Sequence, residues 1–133
     1  MVCFNMESDY AIRIVQYLSA RTDQRTDAAR IAAETGITPR FALKILGRLT
    51  RGGLAKSYKG ANGGYTLIRP PASITLYDVV EVISGGFFLT RCLDNDYTCN
   101  HPDDMSCRFH SVFCEINEQV VAKLKAVHFG REE

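Results

Sequence analysis

The sequence predicts a mainly α-helical fold carrying one small β-hairpin, and three observations point to it. Apolar residues recur at helical spacing in four segments before residue 84 and in one longer segment near 109–127. Capping residues punctuate those segments: Thr38-Pro39 and Thr75 at starts, and Gly36, Gly52-Gly53 and Gly85-Gly86 at ends. Between the third and fourth segments, Gly60-Ala61-Asn62-Gly63-Gly64 separates two short runs, 54–59 and 65–68, that suit the strands of a hairpin.

Each element has a local reason. Residues 7–20 place Tyr10, Ile14, Tyr17 and Leu18 on one helical face. Residues 27–35 follow Thr26, a candidate N-cap, and stop at Gly36. Thr38 then caps a helix with Pro39 at its first position, which turns Phe41, Ile45, Leu46 and Leu49 inward. Pro70-Pro71 closes the hairpin unit, and Thr75 starts a short helix over 76–83. Residues 87–107 lack periodicity, and an irregular stretch of that length suggests a segment ordered by a ligand or metal. In the last helix Phe109, Val112, Phe113, Ile116, Val120, Leu124 and Val127 repeat at spacings of three and four. Such a helix, roughly 28 Å long at 1.5 Å per residue, suits a partner helix across a two-fold axis.

Composition bounds the class. With 46% apolar and 23% charged residues the chain reads as globular. No apolar run reaches the roughly 20 residues that span a bilayer. The start, MVCFNMESDY, lacks the basic and apolar regions of a signal peptide, so a cytoplasmic location is expected. The net charge of +1 hides an asymmetry: residues 1–70 hold eleven Lys/Arg against five Asp/Glu, and residues 71–133 hold five against ten. The segment 40–69 carries Arg40, Lys44, Arg48, Arg51, Lys56, Lys59 and Arg69 with no acidic residue. That polarity fits a polyanion surface on the first half.

Two helices joined by a tight turn and followed by a hairpin is the order of a winged helix-turn-helix. Ala32 allows close helix packing, Gly36 allows a left-handed turn, and Ile37 plugs the core. The helix from 39 to 51 would enter the major groove of double-stranded DNA, with Thr38 at its cap. Arg40 and Lys44 are then placed for base edges, and Arg48 and Arg51 for phosphates or packing on the wing. In the wing, Lys59 is placed for the minor groove, and Gly60, Asn62 and Gly63 let the backbone approach DNA closely. No nucleophile–base pair or nucleotide motif appears, so no enzymatic activity is expected.

Four of the five cysteines lie between 92 and 114, which in a chain without an export signal favours metal or redox chemistry over disulfides. Six residues separate Cys92 from Cys99 and seven separate Cys99 from Cys107. Zinc sites favour tighter pairs, so this spacing suits thiolates wrapped around an iron–sulfur cluster, with zinc and metal-free thiol chemistry as alternatives. His110 lies three residues after Cys107, on the same face if that turn is helical, and is a candidate fourth ligand. Cys114 is placed as a small apolar packing residue.

The stretch SDYAIRIVQYLSAR at 8–21, the turn at 32–37, the wing GANGGYTL and the cysteine trio before a final helix together resemble IscR/NsrR-type regulators of the Rrf-two family. The resemblance spans about residues 5–128. It implies a winged helix with a long C-terminal dimerisation helix, a homodimer on a pseudo-palindromic DNA site, and a cluster bound by three cysteines and one further ligand. In IscR-like members that ligand is a histidine at the place of His110, with a 2Fe–2S cluster. In NsrR-like members a carboxylate at the place of Asp9 can complete a 4Fe–4S cluster that senses nitric oxide. The chain departs from IscR at Leu43, where IscR has glutamate, and at Lys59, where it has arginine, so a different operator is expected.

Three regions of a single domain follow: a DNA-binding winged helix over 1–71, a short helix and cluster loop over 72–108, and a dimerisation helix and tail over 109–133. The expected function is a DNA-binding regulator whose affinity is set by a 2Fe–2S cluster on Cys92, Cys99, Cys107 and His110. An electron-transfer protein using the winged helix as a protein scaffold is the competing class.

Overall fold

Five α-helices and one hairpin make up the residues described by a computed structural model, 4–93 and 108–130. Helix α1 (Met6–Ser19) starts where the Asn5 side chain accepts from the Ser8 N–H at 2.8 Å. Its buried stripe is Ser8, Ala11, Ile14, Val15 and Leu18. The stripe is therefore rotated from the face read in the sequence: Tyr10 and Tyr17 sit half-buried at its margin. Each has a contact at that margin. The Tyr17 hydroxyl donates to Glu34, and the Tyr10 ring meets Phe41 edge-on at 5.1 Å.

Helix α2 (Ala28–Thr35) is capped by Asp27, whose side chain accepts from the Arg30 N–H. The sequence-based choice of Thr26 is one residue early. Thr26 is buried and its backbone is engaged with the hairpin instead, its N–H donating to the Tyr65 carbonyl and its carbonyl accepting from the Tyr65 N–H at 2.8 Å. Gly36 ends α2 with φ 74°, the left-handed conformation the tight turn requires. Ile37 follows, buried, with its N–H donating to the Ala32 carbonyl.

Helix α3 (Pro39–Arg51) opens as expected, with Thr38 accepting from the Phe41 N–H and Pro39 in the first turn. It buries Ala42, Ile45, Leu46 and Leu49, while Phe41 is only half-buried. Strands β1 (Ala55–Tyr58) and β2 (Gly64–Leu67) pair antiparallel, Ala55 opposite Leu67 and Tyr58 opposite Gly64. At Gly64 φ is 144°, and a Cβ there would lie 2.7 Å from the Thr26 backbone. Gly64→Ala is therefore expected to cost about 1–3 kcal/mol and to loosen the wing from α2, a loss that a thermal melt beside unaltered protein reads.

Thr75 caps α4 (Leu76–Ser84) in a reciprocal arrangement with Asp78, and Gly85 ends it in the left-handed conformation. Burial pushes the Asp78 carboxyl up, but its bonds from Thr75 and Arg69 outweigh that and hold it below the ordinary range. The chain after α5 (His110–Ala126) returns to the start of α4: the Leu76 N–H donates to the Val127 carbonyl and the Phe129 N–H to the Ile74 carbonyl, both 3.0 Å. One main core gathers α1, α2, α3, the hairpin and α4. A second, smaller cluster joins Val80, Phe87 and Leu124, with Val120 and Val121 of α5 against it. The tethered C-terminal half of α5 is thus packed, whereas Phe109 at its N-cap and Val112 and Ile116 in its N-terminal half are 51%, 48% and 40% exposed. Among the described residues, no helix is long and apolar enough to cross a membrane.

Candidate nucleic-acid interface and cysteine loop

The helix-turn-helix is built by α2 and α3 packing across Gly36 and Ile37, and it leaves one face of α3 in solvent. That face carries Arg40, Leu43, Lys44 and Arg51, all exposed, with Leu43 at 52%. Arg40 and Arg51 pair with no carboxylate among the described residues. Lys44 is different: its Nζ lies 2.8 Å from Glu7 of α1. Arg48 also binds Glu7, through Nη1, and its Nη2 donates to the Ile83 carbonyl at 2.6 Å. Arg48 therefore ties α3 to α1 and α4, and it does not reach the wing. The hydrogen bond from Lys44 holds the Glu7 carboxyl below its ordinary value, against a desolvation that raises it, and Arg48 adds to the lowering.

The wing brings its own cations. Lys56, Lys59, Gly60 and Asn62 are exposed, and Gly63 is half-exposed. Gly60 has φ 95°, a backbone conformation that strains other residues, and a Cβ on Gly63 would lie 2.4 Å from the Tyr58 carbonyl oxygen, so the turn favours glycine at the first position by conformation and at the second by space. Arg25, in the bend before α2, stacks 3.7 Å from the centre of the Tyr58 ring and donates to the Asn62 carbonyl at 3.4 Å. It braces the wing from the side and adds a guanidinium beside Lys56 and Lys59. Sequence reasoning missed both Arg25 and Glu7. Arg25 stands alone outside the basic run 40–69, and nothing local signals that Glu7 would meet residues 37 and 41 positions on.

Of the four predicted metal ligands, Cys92 and His110 are described, and Cys99 and Cys107 lie outside the described residues. Cys92 is half-buried on a 3-10 turn (Arg91–Leu93) that packs against α5, with its Sγ 2.9 Å from Thr90 Oγ1. His110 is the first residue of α5, and its Nε2 lies 3.4 Å from the Sγ of Cys114, one turn on. The Cys114 sulfur therefore faces an imidazole rather than purely apolar neighbours. The start of the loop is pinned to α5 by Asn117, whose Oδ1 accepts from the Leu89 N–H at 2.6 Å while its Nδ2 donates to the Phe87 carbonyl. Asp9, the alternative ligand, is exposed on α1 and paired with Arg13 at 2.9 Å. Thiolate and imidazole donors, on a turn and a helix that pack together, fit the chemistry of an iron–sulfur centre.

Comparison with known proteins agrees with the fold. Residues 4–131 match the Rrf2 family model, described as an iron-dependent transcriptional regulator. A protein of Rhizobium meliloti, aau3, is 38% identical over 88 residues, which cover 66% of this chain and 57% of that protein. A protein of Aquifex aeolicus named as an HTH-type transcriptional regulator is 28% identical over 111 residues, 84% of this chain and 77% of the relative. Among solved structures, CymR, the global cysteine regulator of B. subtilis, superposes with a TM-score of 0.77 at 22% identity, covering 97% of this chain and 94% of CymR. IscR of T. potens superposes with a TM-score of 0.72 at 21% identity, covering 95% and 82%. These likenesses establish the winged-helix fold, and with the family match over nearly all its length the chain belongs to the Rrf2 family of transcriptional regulators.

Proposed function

We propose that this regulator is a homodimer whose DNA affinity is set by a 2Fe–2S centre held by Cys92, Cys99, Cys107 and His110. What carries the reading is the packing of the Cys92 turn on α5, the helix that opens with His110. A bound centre would supply a multidentate crosslink whose gain, loss or oxidation favours one arrangement of that loop over another. Asn117 holds Phe87 and Leu89 on α5, so a change in the loop is felt by the helix. Phe4 stacks on Phe87 at 5.6 Å, and Ser8 and Ser84 hydroxyls lie 3.3 Å apart, so the first turn of α1 feels it too. Arg48 binds both that turn and the end of α4, which extends the connection into α3.

On DNA, Arg40 and Lys44 would read base edges from the N-terminal part of α3, with Thr38 at its cap. Arg51, Lys59, Gly60, Asn62 and Gly63 would meet the backbone and minor groove. Two copies would meet through Phe109, Val112 and Ile116, whose exposure on one helix is otherwise unexplained. Ile116→Glu is expected to weaken dimerisation roughly a hundredfold, because an unpaired carboxylate would enter an apolar seam. Sedimentation would then report a monomer, and circular dichroism an unchanged helical content. A persistent dimer would move the seam elsewhere.

Anaerobic purification with iron and sulfide counts tests the cofactor. About two of each per chain, with a matching visible spectrum, supports the Cys3His centre. About four of each would favour the NsrR-like reading with Asp9 as ligand. Metal-free protein after reconstitution would leave a thiol-redox sensor, the reading that the Cys114–His110 contact favours, and one consistent with a neighbour such as the oxidized form of Staphylococcus aureus CymR.

A further inference from the structure

Glu7 is the acidic residue that meets the basic face of α3, and it meets it from another helix. Its carboxylate takes Lys44 Nζ at 2.8 Å with one oxygen and Arg48 Nη1 with the other. The two cations are not equivalent. Arg48 is 31% exposed at its side chain and has a second anchor on the Ile83 carbonyl, so it stays in place whatever Glu7 does. Lys44 is 56% exposed, and Glu7 is the one carboxylate that it binds among the described residues. The Lys44 ammonium that α3 would present to DNA is thus already bound by a carboxylate of the same chain, and a phosphate or base edge must displace that carboxylate or share the ammonium with it against like charge.

We infer that Glu7 is a positioning residue that competes with DNA for Lys44 and thereby lowers the affinity of the α3 face. The inference rests on the reading of α3 as the DNA-reading helix. Glu7 itself need touch no nucleotide and acts through Lys44 alone. Exposed ion pairs are individually weak, so the withheld affinity is modest: roughly two- to five-fold. A modest, releasable restraint of this kind limits non-specific binding more than operator binding, since a base-edge partner at the right site rewards Lys44 for leaving Glu7 and a bare phosphate less so.

The experiment is a mutant cycle on the full-length protein with a random-sequence duplex, read by fluorescence anisotropy at fixed salt. Glu7→Gln keeps shape and hydrogen-bonding capacity while removing the charge. It is expected to tighten binding roughly two- to five-fold in the unaltered background and to have no effect in a Lys44→Gln background. Equal tightening in both backgrounds would mean that loss of one negative charge acts at long range, and would overturn the inference. Unchanged or weakened binding by Glu7→Gln alone would overturn it as well. Lys44→Gln by itself reports on the α3 reading: if it leaves DNA affinity untouched, that reading of Lys44 fails first and the inference goes with it. Thermal melts of all three variants separate unfolding from these outcomes.

Discussion

Cys99→Ala is expected to give a colourless protein that still folds and dimerises but no longer changes its DNA affinity when iron is supplied or withdrawn. The unaltered protein is expected to change that affinity roughly 5- to 150-fold, the range that a coupling of about 1–3 kcal/mol produces. Cys92→Ala should behave the same way, because the Cys92 turn rests on α5 and its sulfur has Thr90 as its near polar partner. Cys114→Ala is the informative contrast. Under the 2Fe–2S reading it keeps the visible spectrum, since Cys114 neighbours His110 one helical turn on but is not one of the four ligands. Full visible absorbance in Cys99→Ala would remove that residue from the ligand set. Loss of redox response in Cys114→Ala, with metal-free unaltered protein, would favour thiol chemistry.

Arg40→Ala is expected to weaken operator binding by about 1–3 kcal/mol, roughly 5- to 150-fold, and to relax specificity at one base pair. Arg40 stands in the first turn of α3, exposed and without a carboxylate partner among the described residues, so nothing competes for its guanidinium. Arg48→Ala is expected to act differently. Its guanidinium is held by Glu7 and the Ile83 carbonyl, so its loss should lower the melting temperature before it alters base preference. A binding-site selection with each variant, scored position by position, distinguishes the two. Unchanged affinity and preference in Arg40→Ala would take it out of the reading set.

Local chemistry made most of the fold legible. Thr38-Pro39, Gly36, Thr75 and Gly85 mark helix ends through capping geometry that is set within three or four residues, and each is seen to do so. The helices and hairpin follow, and their order alone identifies the winged helix. Errors arose where a residue serves a distant partner. Thr26 looks like a cap but pairs its backbone with Tyr65, leaving the capping to Asp27. Tyr10 and Tyr17 fit an apolar stripe by spacing, yet their polar or edge-on contacts draw them to its margin. The same limit shaped the interface. Exposure of Arg40, Arg51 and Lys59 follows from helix periodicity and turn chemistry, whereas the capture of Lys44 and Arg48 by Glu7 joins residues about forty positions apart. The cysteine spacing suggests a cluster because thiolate chemistry restricts the options. Cluster type depends on which fourth group comes near, and spacing alone does not encode that.

The most direct measurement is an anaerobic titration of one duplex, selected from a random pool, with the same protein preparation before and after removal of its iron. Control of DNA affinity by the centre requires the two affinities to differ by roughly fivefold or more, with the difference lost in Cys99→Ala. Equal affinities, from a preparation shown to hold iron before and none after, would contradict it: the centre would then be bound without controlling DNA.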